Sequence, residues 1–567
     1  MEISLMIKKA LEFLSRDLGQ TEIASLDFDL FRAEPQFGDY ATNVAFNLSR
    51  ILKQSPTEAG QLLVKKLKSL ASASDISRIE EKAGFINFWV SEDYLIKHAD
   101  GVWKTKRYFR PVAKTMVIDY SSPNIARPFG LGHFRSTNIG NALYRLYRFL
   151  GWQAIGDNHL GDWGTQFGVL IYEIKEKYLK DKNFCQAKKV LKRLTILDLE
   201  KLYQDFHSAL SKDPSLEEKS RYWFKKLEEG DREAMLIWRY CISVSLKEFN
   251  RLYRLLDVHF DYQLGESFYS KKMDEIVSLL KQEKLLTESA GAQIVNLENL
   301  PPALIIKSDG ATTYLLRDLA ALKFRLDKFK PQLIIYEVGS EQKLYFQQLF
   351  AVAEKLGWTK NCRLIHLAHG LMHFEGAKLS TRQGRTFHLE DIIKEAQERV
   401  KKLVSKPLKT KTLLAIALGA LKYNDLNQNP LQDISFDWNK ILNLEGNSSP
   451  YLQYTYSRTQ SVLAKAPFIL FSKKITSSLK PEERNILRLI LYFPEIIRES
   501  AEKFAPHLLC QYLFQLAQAY NNLYNNLAIL KAESREKMIL RLKISRVTGK
   551  IIKISLGLLG IKVLKRM

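Results

Sequence analysis

Lys114-Thr115-Met116-Val117-Ile118-Asp119-Tyr120-Ser121-Ser122-Pro123-Asn124-Ile125-Ala126-Arg127-Pro128-Phe129-Gly130-Leu131-Gly132-His133-Phe134-Arg135-Ser136-Thr137 is the stretch on which the reading of the fold turns. Its first seven residues form an apolar, β-branched run that reads as a buried strand. A loop with Pro123, Pro128, Gly130 and Gly132 follows. Ile139, Ala142, Leu143, Leu146 and Phe149 then recur at helical spacing, which predicts a helix over about 133–150, stopped by Gly151. Gln153 to Asp157 restarts a strand. Strand, glycine-bearing turn, helix and strand open a nucleotide-binding α/β layout. Free N–H groups and the positive end of the helix dipole favour a phosphate at such a turn. Gly130 and Gly132 would let a nucleotide ring come close to the backbone, and His133 can donate to a phosphate oxygen. Alone, Gly-x-Gly-His also suits an ordinary strand-to-helix connection that binds nothing.

Upstream, residues 1 to about 110 read as a small α+β domain, with a helix over 51–70 opened by Ser55-Pro56-Thr57 and an alternating strand over 84–90. Downstream, residues 165 to 260 are mostly helical and charged. Leu304-Ile305-Ile306 and Leu333-Ile334-Ile335-Tyr336 read as two more short strands around a helix over 313–329, so the α/β pattern resumes. From Lys409 onward only helix signals occur. The expected division is 1–110 for the α+β domain, 111–400 for a Rossmann-like domain with a helical insertion, and 401–567 for an all-α bundle.

The chain has 567 residues, enough for about three or four domains, and 46% hydrophobic with 26% charged residues is a globular composition. Lys and Arg number 86 against 62 Asp and Glu, a net charge of +24, which points to a polyanionic partner, nucleic acid first. The excess is uneven: residues 401–567 hold 27 basic and 11 acidic residues, and 531–567 hold 11 against 2. That concentration favours a surface for phosphate backbones. Cys185, Cys241, Cys362 and Cys510 form no C-x-x-C pair, so a disulfide framework or zinc knuckle is not expected. Cys362, His366, His369 and His373 lack a standard ligand spacing, and no structural metal is expected. The N-terminus lacks a signal-peptide layout and the apolar run 413–421 is too short to span a bilayer; a cytoplasmic protein away from membranes is expected.

A second stretch, Glu375-Gly376-Ala377-Lys378-Leu379-Ser380-Thr381-Arg382-Gln383-Gly384-Arg385, combines flanking glycines, cations and hydroxyls. Such a loop can close on a triphosphate and neutralise charge on leaving pyrophosphate, or be a solvated basic turn. Tyr451, Tyr454, Tyr456, Tyr512, Tyr520 and Tyr524 recur at near-helical spacing, for which bundle core is the default reading. Asn521, Asn522, Asn525 and Asn526 form a polar cluster without an evident role.

Together the two stretches, about 245 residues apart, resemble the two signatures of class I aminoacyl-tRNA synthetases, and the words around them resemble the arginyl-tRNA synthetase family. These words are Ser121 to Ala126, Gly132 to Thr137, Asp157 to Gly168, Gly265 to Tyr269 and Thr312 to Asp318. Phe37 to Asn43, Gly84 to Asn87, Pro450 to Tyr454 and the Arg566-Met567 end complete the resemblance over nearly the whole chain. It implies a class I catalytic core, an N-terminal domain that touches tRNA and a helical anticodon-binding domain. It also implies ligation of L-arginine to its tRNA by way of an arginyl-adenylate, with ATP carried with Mg²⁺, by a monomer.

By resemblance, His133, Gly132 and Lys378 carry the chemistry. ATP would meet Pro123, Gly130, Gly132, His133, Lys378, Ser380, Thr381 and Arg382. Arginine would meet Ser122, Asn124, His133, Glu266, Tyr314, Asp318 and Gln342. A planar guanidinium with five donors suits carboxylate partners such as Glu266 and Asp318. Transfer RNA would meet Asp39, Asn43, Asn87, Tyr451, Tyr454 and Met567. Two positions depart from the family pattern: Gly130 stands where the first signature usually has His, and Arg127 where Lys is usual. The rival readings are a class I synthetase of other specificity and a degenerate, synthetase-like RNA-binding protein.

Overall fold

The computed structural model describes residues 3–180, 184–374, 377–378, 388–403, 407–467, 475 and 478–567. Met116, Val117 and Ile118 are fully buried, so the strand that contains them is covered on both faces. Met116 and Ile118 join one apolar core and Val117 another, as alternation along a strand requires. That strand, β1 (Thr115–Asp119), is the centre of a five-stranded sheet with β2 (Gln153–Leu160), β3 (Tyr262–Gly265), β4 (Leu333–Gly339) and β5 (Arg363–His369). The order is β5-β4-β1-β2-β3 and every pair is parallel. The chain runs outward from β1 on one side and then on the other, so the strand order reverses between β1 and β4. In doubly wound sheets ligands bind at the carboxyl ends of the strands at such a switch. Helix α1 (Leu131–Phe149) packs on one side, and helix α2 (Tyr314–Phe329) covers the other with Leu315, Leu316 and Leu319.

The N-terminal domain is a four-stranded antiparallel sheet, Leu30–Arg32, Tyr40–Thr42, Phe85–Val90 and Ile76–Lys82 in that order, with helices against it. The expected helix over 51–70 is in fact two, Val44–Leu52 and Pro56–Leu70. Lys53 turns left-handed (φ 54°) and Ser55 and Glu58 form a reciprocal capping box, so the start signal at Ser55 also ends the helix before it. Leu304–Ile306 is a strand but lies outside the parallel sheet. It pairs with a hairpin as Ala303–Ile306, in a separate antiparallel sheet of three. Two-sided apolarity does not tell these two kinds of strand apart.

From 410 onward the regular elements among the described residues are helices, except for the strand Ile434–Phe436, which pairs in parallel with Met372–Phe374. The expectation of helix alone fails there because three residues are too few to show a period. The expected boundary at 401 falls inside the helix Leu389–Leu403, which packs on Thr410–Leu426. Among the described residues no helix is long and apolar enough to cross a membrane.

Candidate functional site

The loop between β1 and α1 is strained and tightly held. Ser121, Ser122 and Ala126 all have positive φ (75°, 41° and 64°), a conformation that costs non-glycine residues about 1 kcal/mol or more each. Buried partners fix it. Ser121 N–H donates to Ser136 Oγ (3.0 Å), Ser122 N–H to Asn158 Oδ1 (3.1 Å) and Ala126 N–H to Ser245 Oγ (2.8 Å). Ser121 Oγ lies 2.8 Å from the Tyr253 hydroxyl. Ser245 and Tyr253 belong to the helix Arg232–Leu256, so the inserted helices act as scaffold for this loop. Ser122 donates its hydroxyl to Asp119 Oδ1 (2.9 Å), Pro123 is buried and Asn124 is exposed.

Gly130 caps α1 in extended geometry (φ −95°, ψ 178°), which any residue can adopt, so its identity is not forced by the backbone. Gly132 is exposed, and a Cβ there would meet nothing within 4 Å. His133 Nδ1 accepts the Gly130 N–H (3.3 Å), which assigns the ring proton to Nε2. Burial, and then the nearby Arg127 guanidinium, push the imidazole down to about 4. At neutral pH His133 is therefore an uncharged donor at the N-terminal end of a helix.

The described segments before and after the second signature both touch the first. On the way in, Arg135, buried two residues after His133, donates to the carbonyls of Leu371 (3.1 Å), Pro430 (3.1 Å) and Gln432 (2.7 Å). On the way out, Gly130 bridges to His388, and Leu389 N–H donates to Phe129 O (3.1 Å). The Lys378 backbone pairs with His373. Ser380, Thr381 and Arg382 lie outside the described residues.

A second group gathers beyond the end of β2. Asp162 accepts both the N–H (2.8 Å) and the hydroxyl (2.6 Å) of Ser267, and so fixes the turn that presents Glu266. Only glycine fits at 265, because a Cβ would sit 2.2 Å from the Asp162 carboxylate. Arg317 Nη1 donates to Glu266 Oε2, and the Arg317 guanidinium lies 4.8 Å from the Tyr314 ring centre. Tyr345 donates its hydroxyl to Asp318 Oδ2, and His159 Nε2 stands 3.5 Å from Asp318 Oδ1. Burial raises Glu266 to about 7 in spite of Arg317, with the charges of Asp318 and Asp162 adding to the rise. Buried polar atoms without a partner cluster nearby: Arg317 Nε, His159 Nδ1 and the Tyr269 hydroxyl. Tyr314 and Gln342 are exposed at the rim. The arrangement offers carboxylates, an aromatic edge and unspent donors and acceptors in one place, which suits a flat cation.

Sequence reasoning missed His159, Arg317 and Tyr345, although the first two lie inside quoted words. It also missed Arg325, which binds Asp157 Oδ2 (2.9 Å) and Asp119 Oδ2 (2.7 Å) and ties α2 to the end of β1 and the middle of β2. No spacing signals such pairs, which are assembled from distant segments. Among the histidines weighed as metal ligands, His366 bonds Val338 O (3.1 Å), His369 bonds Glu337 (2.8 Å) and His373 bonds Asp433 (3.1 Å). Burial pushes the Cys362 thiol up to about 11. No group of three or more His, Cys, Asp or Glu that could hold a metal occurs among the described residues.

The RNA-facing candidates divide. Tyr454 and Tyr524 are exposed (45% and 42%) with the Arg458 guanidinium 4.9 Å and 4.6 Å from their ring centres. Arg458 donates to Asn521 Oδ1 (2.6 Å), and Asn521 donates to the Tyr451 hydroxyl (2.9 Å). Asn522, Asn525 and Asn526 are exposed beside them. This is a cation–aromatic platform rimmed by carboxamides, and it gives the asparagine cluster a place. Tyr456, Tyr512 and Tyr520 are core, as the default reading has it. Met567 is exposed and Asn43 is partly so. Asp39 and Asn87 are not surface groups: both are buried, and Asp39 Oδ2 accepts from Val90 N–H (2.7 Å) and Arg484 (2.8 Å). Asn87 lies within the paired strands of the N-terminal sheet, and Asp39 docks that sheet on the helix Pro481–Glu502 through Arg484.

Three family matches tile the chain. Residues 102–438 match "tRNA synthetases class I (R), catalytic domain", residues 452–567 match the DALR anticodon binding domain, and residues 1–90 match the arginyl tRNA synthetase N terminal domain. The arginine–tRNA ligase of Halothermothrix orenii is 36% identical over 577 residues, covering 99% of both chains. That of Clostridioides difficile is 37% identical over 583 residues, covering 100% of both. Among solved structures, arginyl-tRNA synthetase from Plasmodium falciparum superposes with a TM-score of 0.83 at 27% identity, covering 100% of this chain and 98% of that one. The Thermus thermophilus enzyme does so with 0.82 at 22%, covering 100% and 99%.

Proposed function

The chain belongs to the arginyl-tRNA synthetase family of class I, and from that premise we propose how its cleft carries out the ligation of arginine to tRNA with ATP. The observation that carries the proposal is the coincidence, at the carboxyl ends of one parallel sheet, of a helix N-terminus with an uncharged His133 and a pocket bearing Glu266 and Asp318.

ATP lies over Gly130 and Gly132, where the open face of the helix start accepts the nucleotide. His133 Nε2–H and the free N–H groups of α1 meet the phosphates. The arginine guanidinium enters between Glu266 and Asp318 along Tyr314, and Asn124, Ser122 and Gln342 hold the α-amino and carboxyl end. The arginine carboxylate oxygen then attacks the α-phosphorus. The bond from that phosphorus to the bridging oxygen breaks, pyrophosphate leaves, and arginyl-adenylate remains. A hydroxyl of the terminal adenosine of tRNA next attacks the arginyl carbonyl and releases AMP. No protein nucleophile is needed; the protein contributes position and charge stabilisation.

Lys378, with Ser380, Thr381 and Arg382, meets the leaving pyrophosphate. Mg²⁺ arrives with the triphosphate as part of the substrate. Anticodon bases stack on Tyr454 and Tyr524 around Arg458, which Asn521 holds from below, and the exposed Asn522 and Asn525 carboxamides read their edges. We further propose a cytoplasmic monomer. Two acids facing one cation distinguish this pocket from those of synthetases for neutral amino acids. The test is ATP–pyrophosphate exchange across all amino acids with tRNA present. Exchange with arginine alone is expected, and none with any amino acid would favour the RNA-binding rival.

A further inference from the structure

Glu266 is turned toward two kinds of partner. One oxygen, Oε2, is taken by Arg317 of the same chain, while no hydrogen bond reaches Oε1 among the described residues. Arg317 is itself almost enclosed. Its side chain is 9% exposed, its guanidinium lies on the Tyr314 ring and its Nε has no partner. We propose that Arg317 is a positioning residue of the arginine site: it grips one oxygen of Glu266 and thereby leaves the other, ionised, for the incoming guanidinium. The inference rests on the reading that Glu266 is an arginine ligand.

Charge around Glu266 makes the grip necessary. Desolvation acts against its carboxylate, and the carboxylates of Asp318 on α2 and Asp162 after β2 repel it. Arg317 and His159 act in the opposite sense, with Arg317 the stronger. Arg317 also faces Glu228, on the helix Ser215–Glu228, and Tyr345 faces Asp318. With Arg317 in place Glu266 is still raised to about 7, half ionised at neutral pH, and the cation of an incoming guanidinium completes the ionisation. Without it the same burial and repulsion would leave the group protonated at neutral pH, and a neutral acid pairs poorly with a cation. Arg317 also supplies a fixed cation among the acids Glu266, Asp318, Asp162 and Glu228, and so lessens their mutual repulsion.

The test is the arginine KM for tRNA charging, from pH 6 to 9, in the full chain and in the variants Arg317→Met, Arg317→Lys and Glu266→Gln. ATP KM and a thermal melt serve as folding controls. For Arg317→Met the arginine KM should rise roughly tenfold to a hundredfold at pH 7. It should then fall back by about tenfold per pH unit as the pH is raised and Glu266 ionises unaided. Arg317→Lys should restore part of the affinity at pH 7. Glu266→Gln should raise KM at every pH with no recovery. Three results overturn the proposal while leaving Glu266 as a ligand: an unchanged KM in Arg317→Met, a raised KM that ignores pH, or a lowered KM, which would make Arg317 a competitor of the substrate. An unchanged KM in Glu266→Gln would instead overturn the pocket reading itself, and the proposal with it.

Discussion

The turn at 121–137 and the C-terminal helix Arg535–Leu558 both read in sequence as places for phosphate, and the structure treats them in opposite ways. The turn keeps its functional groups free: Gly132 is open, the His133 Nε2–H has no partner among the described residues, and the strain in Ser121, Ser122 and Ala126 is borne by buried hydrogen bonds behind them. The helix spends its cations inward. Arg541, fully buried, binds Glu483 (2.8 Å) and Glu533 (2.7 Å), and Lys537 also binds Glu483 (2.7 Å). Lys543 reaches Asp100 (2.8 Å). Lys550 donates to the carbonyls of Val102, Trp103 and Thr105 at the end of the helix Glu92–Lys104, and Arg546 lies 3.8 Å from the Trp103 ring centre. Part of the basic excess that suggests an RNA surface is thus held inside the bundle by Glu483 and Glu533, and part docks it on the helix Glu92–Lys104 through Lys543, Arg546 and Lys550. A count of charge does not distinguish a cation that waits for a ligand from one already satisfied.

The largest effect that would break this contrast is on stability. Arg541→Met takes from the buried Glu483 carboxylate one of its two cations, leaving Lys537 alone on it, and should cost about 3–5 kcal/mol. The thermal midpoint should drop markedly, while the salt dependence of tRNA binding by the folded fraction stays as it was. A variant that melts like the wild type but binds tRNA with a shallower salt slope would show that the cation does face RNA.

The counterpart on the turn is His133→Ala. Loss of one donor aimed at developing charge typically costs about 10²–10³ in rate. Pyrophosphate exchange should slow by that factor, with arginine KM and the melt nearly unchanged; a wild-type rate would remove His133 from the chemistry. Gly130→His is its complement. Because Gly130 is extended, the added Cβ brings no backbone strain, and exchange should be unchanged or faster.

Next in size is the exposed platform, where free groups do occur in the C-terminal bundle. Tyr454→Ala should weaken tRNA binding by about 1–3 kcal/mol, the worth of one base stack, without affecting the melt. Equal losses of stability and binding would place Tyr454 with the docking residues instead.

The smallest effect is in acid. Its hydrogen bonds with Arg541 hold the Glu533 carboxyl down to about 2, below its ordinary value of 4.5. The contribution is therefore complete above about pH 4.5 and is lost as the pH falls toward 2. Glu533 is solvent-exposed, so the effect is small and screened by salt. Between pH 5 and 3 the wild type should lose slightly more thermal stability than Glu533→Gln, and parallel curves would show the pair to be inert.

Much of this was legible beforehand. The buried strand at 114–120, the helix after it and the two signatures follow from periodicity and from residue types that make local geometry. The resemblance adds Glu266, Asp318 and Tyr314, which the fold brings to one pocket. What escaped depends on distance in the chain. The hairpin sheet that receives Ala303–Ile306, the strand Ile434–Phe436 and the burial of Asp39 and Asn87 are set by partners far away in sequence.

The sequence by itself determined that this chain builds a parallel nucleotide-binding sheet with a phosphate-ready turn, because strand, turn and helix signals are local and each residue carries its own. The tertiary structure alone decided which charges remain available. Whether Arg541 meets a carboxylate or water, whether Arg317 meets Glu266, and whether His133 is charged depend on what packs against them from distant segments. Burial sets the sign and strength of each interaction, and burial is a property of the fold.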